Sequence, residues 1–179
     1  MVAPKRFDPV ERRITRAFRA LERDWTLVDP PDRACTRALK DRIGSIGARL
    51  DFKVYSTACK FEKNGEWLFD MTWVKERRDG SLFRIPLVLA CEWTPTRARL
   101  SDDFEKLIAA RADHRVFVFW SRTLATARRE TDGLVERVAG ADLANPGDRY
   151  LFACWTDESD RFETTLYVAP RAARRRRKR

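Results

Sequence analysis

The spacing of apolar residues changes near residue 51, and this change limits the folds open to the chain. Before residue 51, apolar side chains recur at intervals of three and four, as they do along one face of a helix. After it they alternate, as in a strand with one buried face, and two later segments return to helical spacing. The pattern therefore predicts a mixed α/β (α+β) protein.

Two amphipathic helices are predicted first. Residues 8–23 form one of them, with Asp8 as the N-cap and Pro9 in the first helical position. Residues 32–49 form the other, and Gly44 and Gly47 in its second half either weaken its end or permit close packing. The apolar stripes that define these helices are Val10, Ile14, Ala17, Phe18 and Leu21 in the first, and Cys35, Leu39, Ile43, Ile46 and Leu50 in the second.

The strands follow in a recognisable order. Residues 52–59, 66–76 and 83–93 are predicted to form an antiparallel three-strand meander, since turn signals separate them. A helix over 102–112 comes next, with Asp102 and Glu105 as its capping pair. The remaining predicted elements are a strand at 115–120, a helix at 122–138 and a terminal hairpin of strands 150–155 and 162–168.

The length suits one domain, which we assign to residues 1–170. It divides into an N-terminal helical extension (1–31), a core (32–120) and a helix with the terminal hairpin (121–170). The last nine residues, 171–179, contain seven positive charges, so the rest of the chain carries only +3 of the net +10. Such a basic tail is expected to be disordered and to bind polyanions through Arg174, Arg175, Arg176 and Arg177, or else to act only as a solubilising segment.

Several functional classes are disfavoured. The four cysteines are scattered without a C-x-x-C pair and there is a single histidine, His114, so neither a zinc ribbon nor a disulfide framework is expected. A serine or cysteine triad would have to use His114, which we expect to be a surface or loop residue before a strand. No run of 18 apolar residues and no signal peptide is visible, so we expect a cytoplasmic protein without a membrane anchor, with the Arg/Ala-rich composition of a bacterial protein.

Two carboxylates stand where a charge is costly. Asp70 interrupts the apolar segment 67–73, and Glu92 ends the apolar strand 86–93. Carboxylates in apolar strands are expensive unless a cation neutralises them. If the two strands are neighbours, Asp70 and Glu92 lie side by side, and a divalent metal between them is the economical explanation; a salt bridge from each to an arginine is the alternative.

These elements resemble the core of the PD-(D/E)xK, or restriction-endonuclease-like, nuclease superfamily. The resemblance covers residues 32–120: the strand with Asp70, the strand ending in Glu92, the following helix and the apolar strand after it. It implies a central mixed sheet with a three-strand meander and helices on both faces. It also implies that Asp70 and Glu92 bind Mg²⁺ or Mn²⁺ together with the backbone carbonyl of Trp93.

The chain departs from the family pattern at the lysine. The usual position, two residues after the second acid, holds Thr94, and an E-x-E interpretation fails because Ala90 stands at its first acid. Some members of the superfamily take this lysine from the following helix, which points to Lys106 as the third catalytic residue, beside Asp103. A further acid from the first core helix would be Asp41 or Glu22, and the sequence does not decide between them.

The resemblance implies metal-dependent hydrolysis of phosphodiester bonds in DNA or RNA. Arg97 and Arg99, with Arg111 and Arg115 beyond them, are candidates to contact substrate phosphates, and the alternative for each is a solvated surface position. The alternative is a noncatalytic module that keeps the fold and binds nucleic acid or protein, so whether the chain is an enzyme stays open. A homodimer or a protein partner is a further expectation, because no separate target-recognition domain is evident.

Overall fold

The computed structural model describes residues 6–25, 33–93 and 97–170, and for residues 97–102 the backbone alone. These residues form a mixed α/β structure with four α-helices and one six-stranded sheet. The elements are α1 (Pro9–Trp25), α2 (Arg33–Arg49), β1 (Lys53–Ser56), β2 (Met71–Glu76), β3 (Leu82–Glu92), α3 (Arg97–Ala109), β4 (His114–Ser121), α4 (Leu124–Gly140), β5 (Arg149–Thr156) and β6 (Arg161–Val168). A short 3₁₀ turn, Glu62–Asn64, lies between β1 and β2.

The strands lie in the order β1-β2-β3-β4-β5-β6. β1, β2 and β3 form the predicted antiparallel meander, β3, β4 and β5 run parallel, and β6 returns antiparallel to β5. Because β3, β4 and β5 point the same way, their carboxyl ends share one edge of the sheet and their amino ends the other. Glu92 stands at the carboxyl edge, whereas His114 and Arg149 begin β4 and β5 at the amino edge.

Helices cover both faces of the sheet, as predicted. Side chains that alternate along each strand divide into two cores, because successive residues of a strand point to opposite faces. One core packs the strands against α1 and α2 and contains Phe18, Trp73 and Trp155, and the other packs them against α3 and α4 around Phe104 and Phe117.

Both N-terminal helices form for the predicted reasons. Asp8 caps α1, since its Oδ1 accepts from the Glu11 N–H at 2.9 Å while Glu11 Oε2 accepts from the Asp8 N–H at 3.0 Å. α2 approaches the sheet closely at its two glycines: a Cβ on Gly44 would meet the Phe61 ring, and one on Gly47 would lie 2.6 Å from the Trp73 indole. The absence of a side chain at these positions therefore fixes how near α2 sits to β2.

Three predictions about element boundaries are wrong. The strand expected over 66–76 begins only at Met71, so Asp70 precedes β2 instead of lying within a strand. The first strand is limited to Lys53–Ser56, shorter than 52–59. The helix expected from 102 begins at Arg97, which places Asp102 inside α3 and not at its N-cap.

No helix among the described residues is long and apolar enough to cross a membrane. The four cysteines all lie in described segments and are free thiols. The basic tail, with Arg174, Arg175, Arg176 and Arg177, lies outside the described residues.

Candidate functional site

Asp70 lies where the meander meets the parallel strands, next to the carboxyl end of β3. Its Oδ2 accepts a hydrogen bond from the Cys91 backbone N–H at 2.8 Å, which ties the carboxylate to β3. Its Oδ1 lies 3.2 Å from Lys40 Nζ, and its backbone carbonyl accepts from the Ser56 hydroxyl at 2.6 Å. A third of the Asp70 side chain stays exposed, so the carboxylate is anchored on the protein side and open on the other.

Lys40 is the cation at this site, and the sequence analysis did not single it out. Its side chain is only 5% exposed, although it carries a full charge, and its ammonium also reaches the Thr57 carbonyl at 3.5 Å. A signal for it was present: Lys40, Gly44 and Gly47 recur at intervals of four and three. They therefore share one helix face, and the two glycines mark that face as the one that touches the sheet.

The charges of Asp70, Lys40 and Glu92 all act on the Cys91 thiol. Burial raises the pKa of Cys91 well above its usual value, the carboxylates of Asp70 and Glu92 raise it further, and the Lys40 ammonium opposes them. The raised pKa favours the neutral thiol over the thiolate, which is the form that binds metals and acts as a nucleophile. Of the three charged groups, Asp70 binds the Cys91 backbone N–H and Glu92 follows Cys91 in β3.

Glu92 ends β3, as the sequence suggested, and Trp93 follows the strand. Glu92 is half-buried and lies opposite Phe119 of β4, and it has polar or electrostatic partners within the protein. The Trp93 indole donates from Nε1 to the Thr36 hydroxyl of α2 at 2.8 Å. α2 therefore contacts this edge twice, through Thr36 and through Lys40.

Lys106, the lysine expected from the sequence, stands beside Asp103 as its spacing predicted. It lies on α3 with 61% of its side chain exposed, and its ammonium pairs with Asp103 at 2.7 Å. The cation that the structure brings to Asp70 is instead Lys40. Thr94 lies outside the described residues, and so do the side chains of Arg97 and Arg99.

Other residues weighed from the sequence have structural partners. Asp41 accepts from the Lys60 N–H at 2.8 Å, and Glu22 accepts from the Phe162 N–H on β6 at 3.0 Å. Arg115, expected to contact substrate, is instead buried at 3% exposure, where it donates to backbone carbonyls after α3 and pairs with Asp148 at 3.3 Å. Arg111 is exposed beside a cleft at the amino edge.

A second polar cluster lies at the opposite, amino edge of the sheet. His114 Nε2 lies 3.1 Å from Asp8 Oδ2, and His114 Nδ1 lies 3.3 Å from Glu11 Oε1. One ligand atom from each of these three residues lies within 4.8 Å of the others, so the group could hold a metal ion. The expectation of a loop or surface position for His114 is wrong, because it begins β4 and is only 6% exposed.

The guanidinium of Arg149 is hydrogen-bonded to the Glu11 carboxylate of this cluster. Arg149 donates from Nε to Glu11 Oε1 at 2.6 Å and from Nη2 to Oε2 at 2.7 Å, so both oxygens of Glu11 are engaged. Burial alone would raise the pKa of Glu11, but the hydrogen bonds from Arg149, His114 and the Asp8 N–H outweigh it and lower the pKa to about 2. Arg149 thus supplies the positive charge that a metal would otherwise bring.

Comparison of the chain with protein-family models, with curated proteins and with solved structures finds no match in any of the three. A function for this chain is therefore inferred from its residues and their geometry.

Proposed function

We propose that this protein is a divalent-metal-dependent nuclease-like hydrolase of phosphodiester bonds, with Asp70 and Glu92 as the metal ligands and Lys40 as the catalytic lysine. One observation carries the proposal: the Lys40 ammonium lies 3.2 Å from the Asp70 carboxylate, which is bound to the Cys91 N–H one residue before Glu92, at the carboxyl edge of the parallel strands. In open α/β sheets, ligands bind beyond the carboxyl ends of the strands.

The element order supports a restriction-endonuclease-like core. The chain runs α2, β1, β2, β3, α3, β4, with an antiparallel meander followed by a helix and a strand parallel to β3. This is the arrangement that the resemblance over residues 32–120 implies. Fold alone does not give the activity, so we infer the activity from the chemistry of the site.

The donor set suits Mg²⁺ or Mn²⁺. Asp70 and Glu92 offer carboxylate oxygens, the ligands that hard divalent cations prefer, and the neighbouring Cys91 thiol stays protonated. A carboxylate has about four lone-pair sites, so the bonds from Lys40 and the Cys91 N–H leave Asp70 able to bind a cation. The exposed third of Asp70 gives such a cation access.

The metal and the lysine have separate parts in the chemistry. A bound divalent cation would polarise the phosphoryl oxygen and lower the pKa of a coordinated water. Lys40, held by Asp70 and the Thr57 carbonyl, supplies a fixed positive charge for the hydroxide nucleophile and for the negative charge that develops on the phosphoryl oxygens. The attacking water would lose a proton to solvent, its oxygen would bond to phosphorus as the ester P–O bond breaks, and the leaving alkoxide would take a proton from solvent water.

The test compares four variants in a cleavage assay. Labelled single-stranded and duplex DNA and RNA are incubated with Mg²⁺ or Mn²⁺ and wild type, D70N, E92Q, K40M or K106M. We expect D70N, E92Q and K40M to lose at least about 100-fold in rate, and K106M to keep its rate. Circular dichroism checks that each variant is folded.

Calorimetric titration of Mn²⁺ separates the role of the two proposed metal ligands from that of Lys40. D70N and E92Q should lose metal binding, whereas K40M should keep it, because Lys40 is not a ligand. Equal cleavage by D70N and wild type would contradict the proposal, and so would loss of activity in K106M with retention in K40M. If K40M fails to fold, K40R keeps the charge and tests geometry alone.

A noncatalytic module is the second candidate, and one observation favours it. Both oxygens of Asp70 already have partners inside the protein, so the Asp70–Lys40 pair is stable without a metal. That function predicts oligonucleotide binding that D70N leaves intact, with no cleavage by wild type on any of the four substrates.

A further inference from the structure

A groove of about 570 Å³ runs between α1 and α2 on the outer side of the protein. Four arginines line it: Arg13 and Arg16 from α1, and Arg42 and Arg49 from α2. Small side chains of α1, among them Ala17, also line it and leave the space between the helices open. No carboxylate lines this groove among the described residues.

Three of these arginines have no partner in the part of the chain that the structure describes. Arg13, Arg16 and Arg49 are exposed and form no ion pair or side-chain hydrogen bond there. Arg42 alone is paired, at 2.6 Å to Asp24, which is itself more than half exposed. The two lysines of the meander, by contrast, each pair with a surface carboxylate.

Clustering of like charges costs free energy, both between neighbours on one helix and across a groove. Arg13 and Arg16 are neighbours at i,i+3, and Arg42 and Arg49 lie two turns apart, about 10 Å along α2. The charges therefore form two rows facing one another. An extended anion with several charges satisfies both rows, whereas a single small anion would satisfy only part of them.

Arginine is the side chain that matches phosphate best, since its planar guanidinium donates two parallel hydrogen bonds to phosphate oxygens. We infer that the groove between α1 and α2 binds the sugar-phosphate backbone of a nucleic acid. The choice of nucleic acid over other polyanions rests on the proposed function. α2 links the two sites, because it carries Lys40 on its sheet-facing side and Arg42 and Arg49 on its groove side.

The experiment measures binding without chemistry. Fluorescence anisotropy of labelled single-stranded and duplex oligonucleotides is recorded with the full chain in EDTA, between about 50 mM and 200 mM salt. The test variant is R16E/R49E. The matched control is R128E/R129E, which makes the same charge change at two exposed arginines of α4, on the opposite face of the sheet.

We expect R16E/R49E to weaken binding at least about tenfold and to lower the slope of log K against log salt by about two, one for each arginine that no longer neutralises a phosphate. R128E/R129E should leave the slope unchanged, because Arg128 and Arg129 lie away from the groove. The basic tail is present in both variants and contributes equally to both slopes. Circular dichroism and thermal melting establish that both variants are folded, and R13A/R49A replaces R16E/R49E if reversal of charge prevents folding.

Equal losses of affinity in the two variants would overturn the inference, since they would show a general effect of net charge. Unchanged binding in R16E/R49E would overturn it as well. Labelled poly-glutamate is measured in the same way, and loss of its binding alone in R16E/R49E would overturn the inference, because the groove would then bind an acidic protein. The proposed function is tested separately by cleavage in the presence of metal. The binding assay contains no free metal, so its result does not depend on that activity.

Discussion

The two edges of the parallel strands both carry charged clusters, and the clusters differ in how completely their charges are paired. At the amino edge, Glu11 is 1% exposed and binds Arg149 and His114 with both carboxylate oxygens. At the carboxyl edge, Asp70 pairs with the buried Lys40 but keeps a third of its side chain in solvent. The first cluster is closed by its own residues, whereas the second is open on one side.

This difference separates a structural role from a binding role. A buried carboxylate with a bidentate guanidinium has its charge neutralised and its lone pairs used, so it holds α1 against β4 and β5. An anchored carboxylate with free lone pairs and solvent access can accept a cation or substrate. The amino edge therefore suits a structural role, and the proposed function places the chemistry at the carboxyl edge, although the histidine stands at the amino edge.

The largest expected effect is on stability, from Glu11→Gln. The folded-state pKa of about 2 lies below the usual value of 4.5, so Glu11 stabilises the fold above about pH 4.5 and loses this contribution as the pH falls towards 2. Relative to wild type, we expect the free energy of unfolding of E11Q to be lower by about 3 kcal/mol at pH 7 and by only about 1 kcal/mol at pH 3. Urea denaturation at both pH values measures the change.

Glu136→Gln is the matched control, since Glu136 is exposed on α4 and should change stability by less than about 0.5 kcal/mol. Mn²⁺ titration extends the comparison: E11Q should bind the metal as wild type does. Loss of metal binding in E11Q, with retention in D70N, would move the metal to the amino edge and reverse our assignment of the two clusters.

A smaller loss of stability is expected from a substitution where α2 packs against the sheet. Gly47→Ala would push a methyl group to 2.6 Å from the buried Trp73 indole, which should cost about 1–3 kcal/mol and move the helix that carries Lys40. Gly133→Ala is the control, because nothing lies within 4 Å of a Cβ there and the helix should gain about 0.5–1 kcal/mol. Thermal melting of both variants checks the prediction, which fails if the two shifts share a sign.

The smallest effect is expected from Lys106→Met. The Lys106–Asp103 pair is exposed and lies within one helix turn, so its loss should change the free energy of unfolding by less than about 0.5 kcal/mol. A loss above about 1 kcal/mol in urea denaturation would show that Lys106 has a buried role and would reopen its place at the site.

Much of the fold could be predicted from local patterns. The periodicity predicts α1 and α2 nearly to their ends, and the turn signals predict the meander and the terminal hairpin. The boundaries of β2 and α3 could not be predicted in this way. Apolar residues 67–69 continue the strand pattern, but Leu68 adopts a positive φ of 67° and its side chain is exposed, so the chain bends before Asp70.

The sequence by itself determined the mixed α/β class, the order of the elements and the place of Glu92 at the end of a strand, because each depends on residues close together in the chain. Only the tertiary structure decided the partners of the charged groups. Lys40 meets Asp70 across 30 positions, and Glu11 meets Arg149 across 138, because helix packing and strand register bring them together. No local spacing encodes such distances, so the lysine that faces Asp70 became visible only when α2 was docked on the sheet.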